Sequence, residues 1–327
     1  MSGPVTIGLV ASRALRSGPD SPLFRFIRSF APFFTDVLDA HLCVVGATLN
    51  TLRAEGLLRG HRNLEPLPAA AAGGIITLVA KLVGPDDRGP GIDWVIYLLD
   101  PTDLISLFPE TQALKRQCVV NDRPFLSTEA AASEWCTLEW VRAAAEGRAA
   151  FTPDLAALVR TGVRPGLLAG ETLGLIAHDR LKPDLLDFAR RNRPVLSRFG
   201  RRLATGTTGS LLNGVVPPRL SGGDFGALAA AMAAPDGAEP WVSALRSGPR
   251  GGDAQIAQEV VLGHCRRVVF FEDPHVAREH EADIQLLERA TRFAAGGCLC
   301  LNSAGTAQRW VDNLAVALER MPRRATV

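Results

Sequence analysis

The chain has 327 residues, 47% of them apolar and 21% charged, a balance that excludes a disordered chain and exceeds one ordinary domain. Its 36 basic and 34 acidic residues leave a net charge of +2, with arginines dispersed rather than blocked, so no nucleic-acid or anionic-membrane partner is expected. The apolar runs near 66–80 and 225–234 are broken by Pro, Gly or Ala clusters short of the ~20 residues of a membrane span. The N-terminus has no charged region followed by a long apolar stretch and a cleavage site, so a cytoplasmic location is expected. Cys43, Cys118, Cys136, Cys265, Cys298 and Cys300 show no zinc-ligand spacing and read as core thiols of a reducing compartment, with no metal expected.

In chain order the elements occur twice. VTIGLVAS (5–12) reads as a buried strand, and TLGLIAHD (172–179) answers it. Phe26-x-Arg28 before Pro32 is echoed by Phe188-x-Arg190 before Pro194. Val45-Gly46-Ala47-Thr48 corresponds to Thr205-Gly206-Thr207-Thr208. AAAAGGIIT (69–77) and SGPRGGDAQ (247–255) share a Gly-Gly pair, but Ile75 stands where the second copy has Asp253. WVIYLLDP (94–101) pairs with RVVFFEDP (267–274), each ending in Asp-Pro. Short apolar strands near 123–127 and 298–302, each followed by a long helix, close the copies.

This alternation of short apolar strands and amphipathic helices predicts an α/β protein of two tandem doubly wound, Rossmann-like parallel-sheet domains. The expected boundaries are 1–145 and 171–327, with a connector over 146–170 holding one helical turn. The second copy carries an insertion around 214–242, rich in Pro, Gly and Ala, whose SGGDFG (221–226) reads as a turn.

Ligands of open parallel sheets gather beyond the carboxyl ends of the strands. In the second copy His178, Asp179 and Lys182 follow the first strand, and Thr205, Thr207 and Thr208 follow the second. Ser247, Gly248 and Asp253 precede a helix, and Asp273 ends the strand leading to His280 and Asp283; Asn302 closes the last strand. Hydroxyls and backbone N–H groups at a strand-to-helix turn suit a phosphate, and Lys182 adds a point charge. Asp253, behind two glycines that admit close backbone approach, is placed as a general base. His280 can hydrogen-bond to charge developing on an oxygen, with Asp283 fixing its ring. Taken singly, each feature has a plainer reading as a helix start, a cap, a chain-turning Asp-Pro or a solvated charge; their grouping at strand ends favours a site.

Together these residues resemble the methylglyoxal synthase family. The matching motifs are Ala177-His178-Asp179-Arg180-Leu181-Lys182, Ala204-Thr205-Gly206-Thr207-Thr208-Gly209, Ser247 to Gln255, and Phe270-Phe271-Glu272-Asp273-Pro274 with His280 and Asp283 beyond. The resemblance implies conversion of dihydroxyacetone phosphate to methylglyoxal and inorganic phosphate without metal or organic cofactor. It implies Asp253 as base, His280 as stabiliser of the enediolate, and Lys182, Thr205, Thr207, Thr208, Ser247 and Gly248 as phosphate ligands. His178, Asp179, Asp273 and Asp283 would shape the pocket. It also implies a homo-oligomer, here three chains forming a pseudo-hexamer, and an arginine near the C-terminus for which Arg320, Arg323 and Arg324 are candidates.

The first copy has Ser12, Arg16, Val45, Ala47, Ile75 and Leu107 at the corresponding places and keeps Thr48 and Asp100, so it reads as a silent copy. The rival reading is a sensor of phosphate or a phosphorylated metabolite without chemistry; further rivals are a related enzyme for another sugar phosphate and a partner-binding first copy.

Overall fold

Runs that are apolar without alternation become strands buried on both faces. The computed structural model describes residues 4–84, 91–163, 165–220, 225–235, 237–275, 281–293 and 297–320. It divides into two units, Met1–Val163 and Arg164–Val327.

In the first unit β1 (Thr6–Ala11), β2 (His41–Val45), β3 (Leu64–Leu67), β4 (Trp94–Leu98) and β5 (Phe125–Leu126) form a parallel sheet in the order β3-β2-β1-β4-β5. Its helices are α1 (Pro22–Pro32), α2 (Gly46–Ala54), α3 (Gly74–Val83), α4 (Pro109–Val120), α5 (Glu129–Ala145) and α6 (Pro153–Leu158). Alternate residues of β4 serve opposite faces. Val95 and Tyr97 join Cys43, Leu78, Leu82 and Leu114 on one side, while Trp94 meets Phe33 and Trp135 on the other. Burying side chains of this size is worth ~1.5–3 kcal/mol each.

The second unit repeats the order. β6 (Thr172–Ala177), β7 (Arg201–Ala204), β8 (Ser243–Ala244), β9 (Cys265–Phe271) and β10 (Leu299–Leu301) run parallel as β10-β9-β6-β7-β8. Around them lie α7 (Lys182–Arg191), α8 (Arg193–Leu196), α9 (Gly206–Leu212), α10 (Phe225–Ala230), α11 (Gly252–Val261), α12 (Glu281–Phe293) and α13 (Ala304–Arg320). The expected fold class, α/β with two doubly wound parallel sheets, is thus what forms. In each sheet the winding direction reverses beside the first strand, between β1 and β4 and between β6 and β9. That reversal opens a crevice at the strand ends.

The stretch 146–170 is more structured than a bare connector: α6 lies within it, and Leu155 and Val159 are fully buried. The insertion is fastened where it rejoins the sheet. Asn213 Nδ2 donates to Val242 O at 2.9 Å and its Oδ1 accepts from Val242 N at 3.0 Å. Trp241 donates to Ser197 Oγ at 2.9 Å and lies under the Arg193 and Arg202 guanidinium groups. Residues 221–224 of SGGDFG lie outside the described residues.

The cysteines are free thiols, five buried and Cys300 half-buried. Burial pushes the Cys265 thiol up to about 12, the state of an inert core cysteine. Among the described residues no helix is long and apolar enough to cross a membrane.

Candidate functional site

The loop that carries Asp253 is built by its two glycines. Gly248–Arg250 form a 3-10 turn that ends on Gly251 at φ +88°, a left-handed conformation that side chains resist. Gly252 then passes so close to the preceding strand exit that a Cβ would lie 1.9 Å from Arg246 O. Its N–H donates to Ser247 O at 3.1 Å, and α11 begins. Asp253 falls in the first turn, where a carboxylate complements the helix dipole, and is only 3% exposed. Ile256, Ala257 and Val260 of the same helix bury against the sheet.

The first unit repeats this turn in detail. Ala70–Ala72 form the 3-10 turn, Gly73 sits at φ +83°, and a Cβ on Gly74 would lie 2.0 Å from Pro68 O. Ile75 then occupies the place of Asp253 and is buried. The backbone device is therefore common to both units; the carboxylate belongs to the second alone.

At the ends of β6 and β9, Asp273 N donates to His178 Nδ1 at 2.8 Å. The accepting Nδ1 is unprotonated, so the neutral ring carries its hydrogen on Nε2. The edge-on Phe270 ring, 4.8 Å away, holds the imidazole. The Asp273 carboxylate turns the chain by accepting from His275 N at 3.0 Å, and Arg180 lies 3.8 Å from its other oxygen. In the first unit Asp100 N donates to Ser12 Oγ at 3.2 Å, and the Asp100 carboxylate accepts from Thr102 N at 2.8 Å. The strand-end turn thus needs the aspartate in both copies, whereas only the second places an imidazole behind it.

Lys182 opens α7 and is 4% exposed, with its ammonium on the exposed Asp179 carboxylate. Thr205 precedes α9 without a side-chain capping bond, and its hydroxyl donates to Thr208 Oγ1 at 3.3 Å. Thr208 is wholly interior, and its counterpart Thr48 accepts from Ala11 N at 3.0 Å. Ser247 makes no side-chain capping bond either, and Ser247 and Gly248 are half-buried. The end of β7 is laced to the base loop by Leu245 N to Ala204 O and Gly206 N to Arg246 O, each 2.8 Å. Where unit two has Lys182, Arg16 donates to Ala47 O and Thr51 Oγ1.

His280 lies outside the described residues, as does the side chain of Asp283 in α12; Arg320 ends α13, and Arg323 and Arg324 lie outside. One contributor had no assigned role from sequence: Gln255 Oε1 accepts from Arg246 N at 2.9 Å and clamps the base loop to the end of β8. Its place at the end of the SGPRGGDAQ motif was the available signal.

A doubly wound parallel sheet with a buried ammonium, a hydroxyl-bearing turn and a buried carboxylate at its strand ends defines an α/β protein of the doubly wound class. No family model matches the chain. It is 38% identical over 141 residues to a methylglyoxal synthase of Agrobacterium fabrum, covering 43% of this chain and 91% of that protein. Against methylglyoxal synthases of Borreliella afzelii and Clostridium botulinum it is 35% and 34% identical, covering 36% of this chain each time and 74% and 79% of those proteins. A solved methylglyoxal synthase of Elizabethkingia anophelis NUHP1 aligns over 44% of this chain and 78% of its own at 25% identity, with a TM-score of 0.30. On the sequence relatives, the chain belongs to the methylglyoxal synthase family. The aligned lengths, 117 to 141 residues, are the size of one unit rather than of the pair.

Proposed function

We propose that the second unit converts dihydroxyacetone phosphate to methylglyoxal and inorganic phosphate. The observation that carries this reading is the buried Asp253 carboxylate, held in the same loop as Ser247 and Gly248 by a turn whose twin presents Ile75. A phosphate sensor needs the hydroxyls and the ammonium but has no use for a desolvated base.

In the proposed reaction the Asp253 carboxylate takes a proton from the carbon bearing the free hydroxyl. The C–H electron pair forms an enediolate whose oxygen is stabilised by His280. That electron pair then expels phosphate as the C–O bond breaks. The enol product takes up a proton at its methylene carbon, giving methylglyoxal; no water or redox partner is consumed. Lys182, Thr205, Thr207, Ser247 and Gly248 bind the phosphate, and Thr208, wholly interior, orients Thr205. A buried ammonium requires an anion beside it; Asp179, whose side chain is 79% exposed, supplies one and yields it to the incoming phosphate. His178 and Asp273 fix the β6 and β9 ends around the substrate, with Asp283 orienting His280. The first unit, with Ser12 and Ile75, has neither imidazole nor base and is catalytically silent.

The test is direct: purified protein is mixed with dihydroxyacetone phosphate, and methylglyoxal and phosphate are followed together. Equal release of both supports the lyase; binding of inorganic phosphate with release of neither establishes the sensor instead. A charge-assisted hydrogen bond is worth ~1.5–3 kcal/mol, so Lys182→Met is expected to lower kcat/KM by roughly 10–100-fold. Unchanged kcat/KM in that variant would remove Lys182 from the site. Three chains, six units in all, form the proposed assembly, which light scattering checks; a monomer at assay concentration refutes it.

A further inference from the structure

The opposite end of the first sheet carries a group of side chains that the reaction does not use. His41 and Cys43 stand two residues apart on β2, so both point to one face. Glu65 on β3 is the register partner of Cys43 and shares that face. Glu65 Oε2 lies 3.0 Å from His41 Nε2 and 3.5 Å from Cys43 Sγ, and the three donor atoms all fall within 4.8 Å of one another. Lys81, in the last turn of α3, lies 2.8 Å from Glu65 Oε1 and donates to Oε2 at 3.0 Å.

We propose that His41 Nε2, Cys43 Sγ and Glu65 Oε2 bind a zinc-class divalent ion on this sheet face. An imidazole, a thiol and a carboxylate are the donors such ions take, and ligands ~2.0–2.3 Å from a tetrahedral ion lie at separations of this order. The donors stand on adjacent paired strands, so their spacing is fixed by the sheet rather than by a loop. Cys43 closes the site from the core, while His41 and Glu65 are 39% and 33% exposed, leaving an entry path and an open fourth position. Thiolate and carboxylate together neutralise the ion, which takes Oε2 from Lys81 and leaves the ammonium on Oε1 as an outer partner.

The second unit supplies an internal control. Register and turn alignment place Arg201, Leu203, Ser243 and Glu259 where the first unit has His41, Cys43, Glu65 and Lys81. There Arg201 pairs with Glu259 at 2.8 Å, and His264 Nδ1 lies 3.5 Å from the same carboxylate oxygen. Each unit thus fastens helix to sheet through a carboxylate with a cation and an imidazole beside it; the first unit, as Lys81–Glu65 with His41, sets the Cys43 thiol on that carboxylate as well.

The experiment uses the full chain stripped with chelator and titrated with cobalt(II). One ion per chain is expected, with a thiolate-to-cobalt charge-transfer band that zinc(II) displaces. Cys43→Ser should abolish the band, and His41→Gln should weaken binding by at least roughly 10-fold. Lys81→Met should tighten it, because the ammonium competes for the Glu65 charge. Absence of the band at large metal excess overturns the site, as does its persistence in Cys43→Ser. If Cys43→Ser does not fold, His41→Gln decides: its side chain is part-exposed at the strand end, and an unaltered affinity with intact circular dichroism overturns the proposal.

Discussion

Asp253→Asn is expected to lower methylglyoxal formation by roughly 10²–10⁴-fold while the protein stays folded, the range spanned by loss of a positioned general base. The amide matches the carboxylate in size and keeps an oxygen, so the first turn of α11 and the Gly251–Gly252 turn have no steric reason to move. What disappears is the basic lone pair and the charge that complements the helix N-terminus, the latter worth only ~0.3–1 kcal/mol. The turnover number should therefore fall greatly. Inorganic phosphate should bind the variant as it binds the wild type, because Lys182, Thr205 and Ser247 are untouched. Turnover and phosphate titration are measured on the same preparation. Full activity in Asp253→Asn refutes the assignment of the base, whereas loss of phosphate binding would mean that the loop had collapsed and that the variant reports on folding.

The central strands and the repeat were legible because β1, β4, β6 and the Val268–Phe271 part of β9 are buried on both faces and so are apolar at nearly every position. The Gly-Gly turns were legible too, since only glycine tolerates both the positive φ and the backbone contact that follows. β3 and β8 were not. β3 reads Leu-Glu-Pro-Leu, and β8 is two exposed residues, so neither carries an apolar pattern to detect. Both are strands only because a neighbour offers its edge. The polar residues at strand ends could be named from sequence, but their division of labour could not. That Thr208 is interior while Thr205 stands at the helix start depends on packing, and the clamp from Gln255 to Arg246 depends on the path of the turn. The His41, Cys43 and Glu65 cluster was invisible for a related reason. His-x-Cys is unremarkable until strand register sets a carboxylate 22 residues away beside it. The zinc-ligand spacings sought in sequence belong to local loops, and a site on a sheet face has none.

The paired substitutions Gly252→Ala and Gly74→Ala separate what the shared turn does for folding from what it does for chemistry. A methyl group would lie 1.9 Å from Arg246 O in one case and 2.0 Å from Pro68 O in the other. Both obstacles are backbone, so neither can be relieved by a rotamer change, and the turn must open. Overpacking of this kind costs typically ~1–3 kcal/mol, sometimes more. For a domain of this size each kcal/mol lowers the unfolding temperature by roughly 2–4 °C, so either alanine should bring the transition of its own unit down by several degrees in calorimetry. Their effects on turnover should part company. In Gly252→Ala the opened turn shifts Asp253 relative to Ser247 and Gly248, and a displacement of about 1 Å at a reacting group can cost ~10²-fold in rate. In Gly74→Ala the same opening displaces Ile75, which has no proton to accept, and kcat per folded chain should hold. If Gly74→Ala loses turnover as Gly252→Ala does, the first unit contributes to the reaction and is not silent. If Gly252→Ala keeps both its transition and its rate, the turn is pliant and does not position the base.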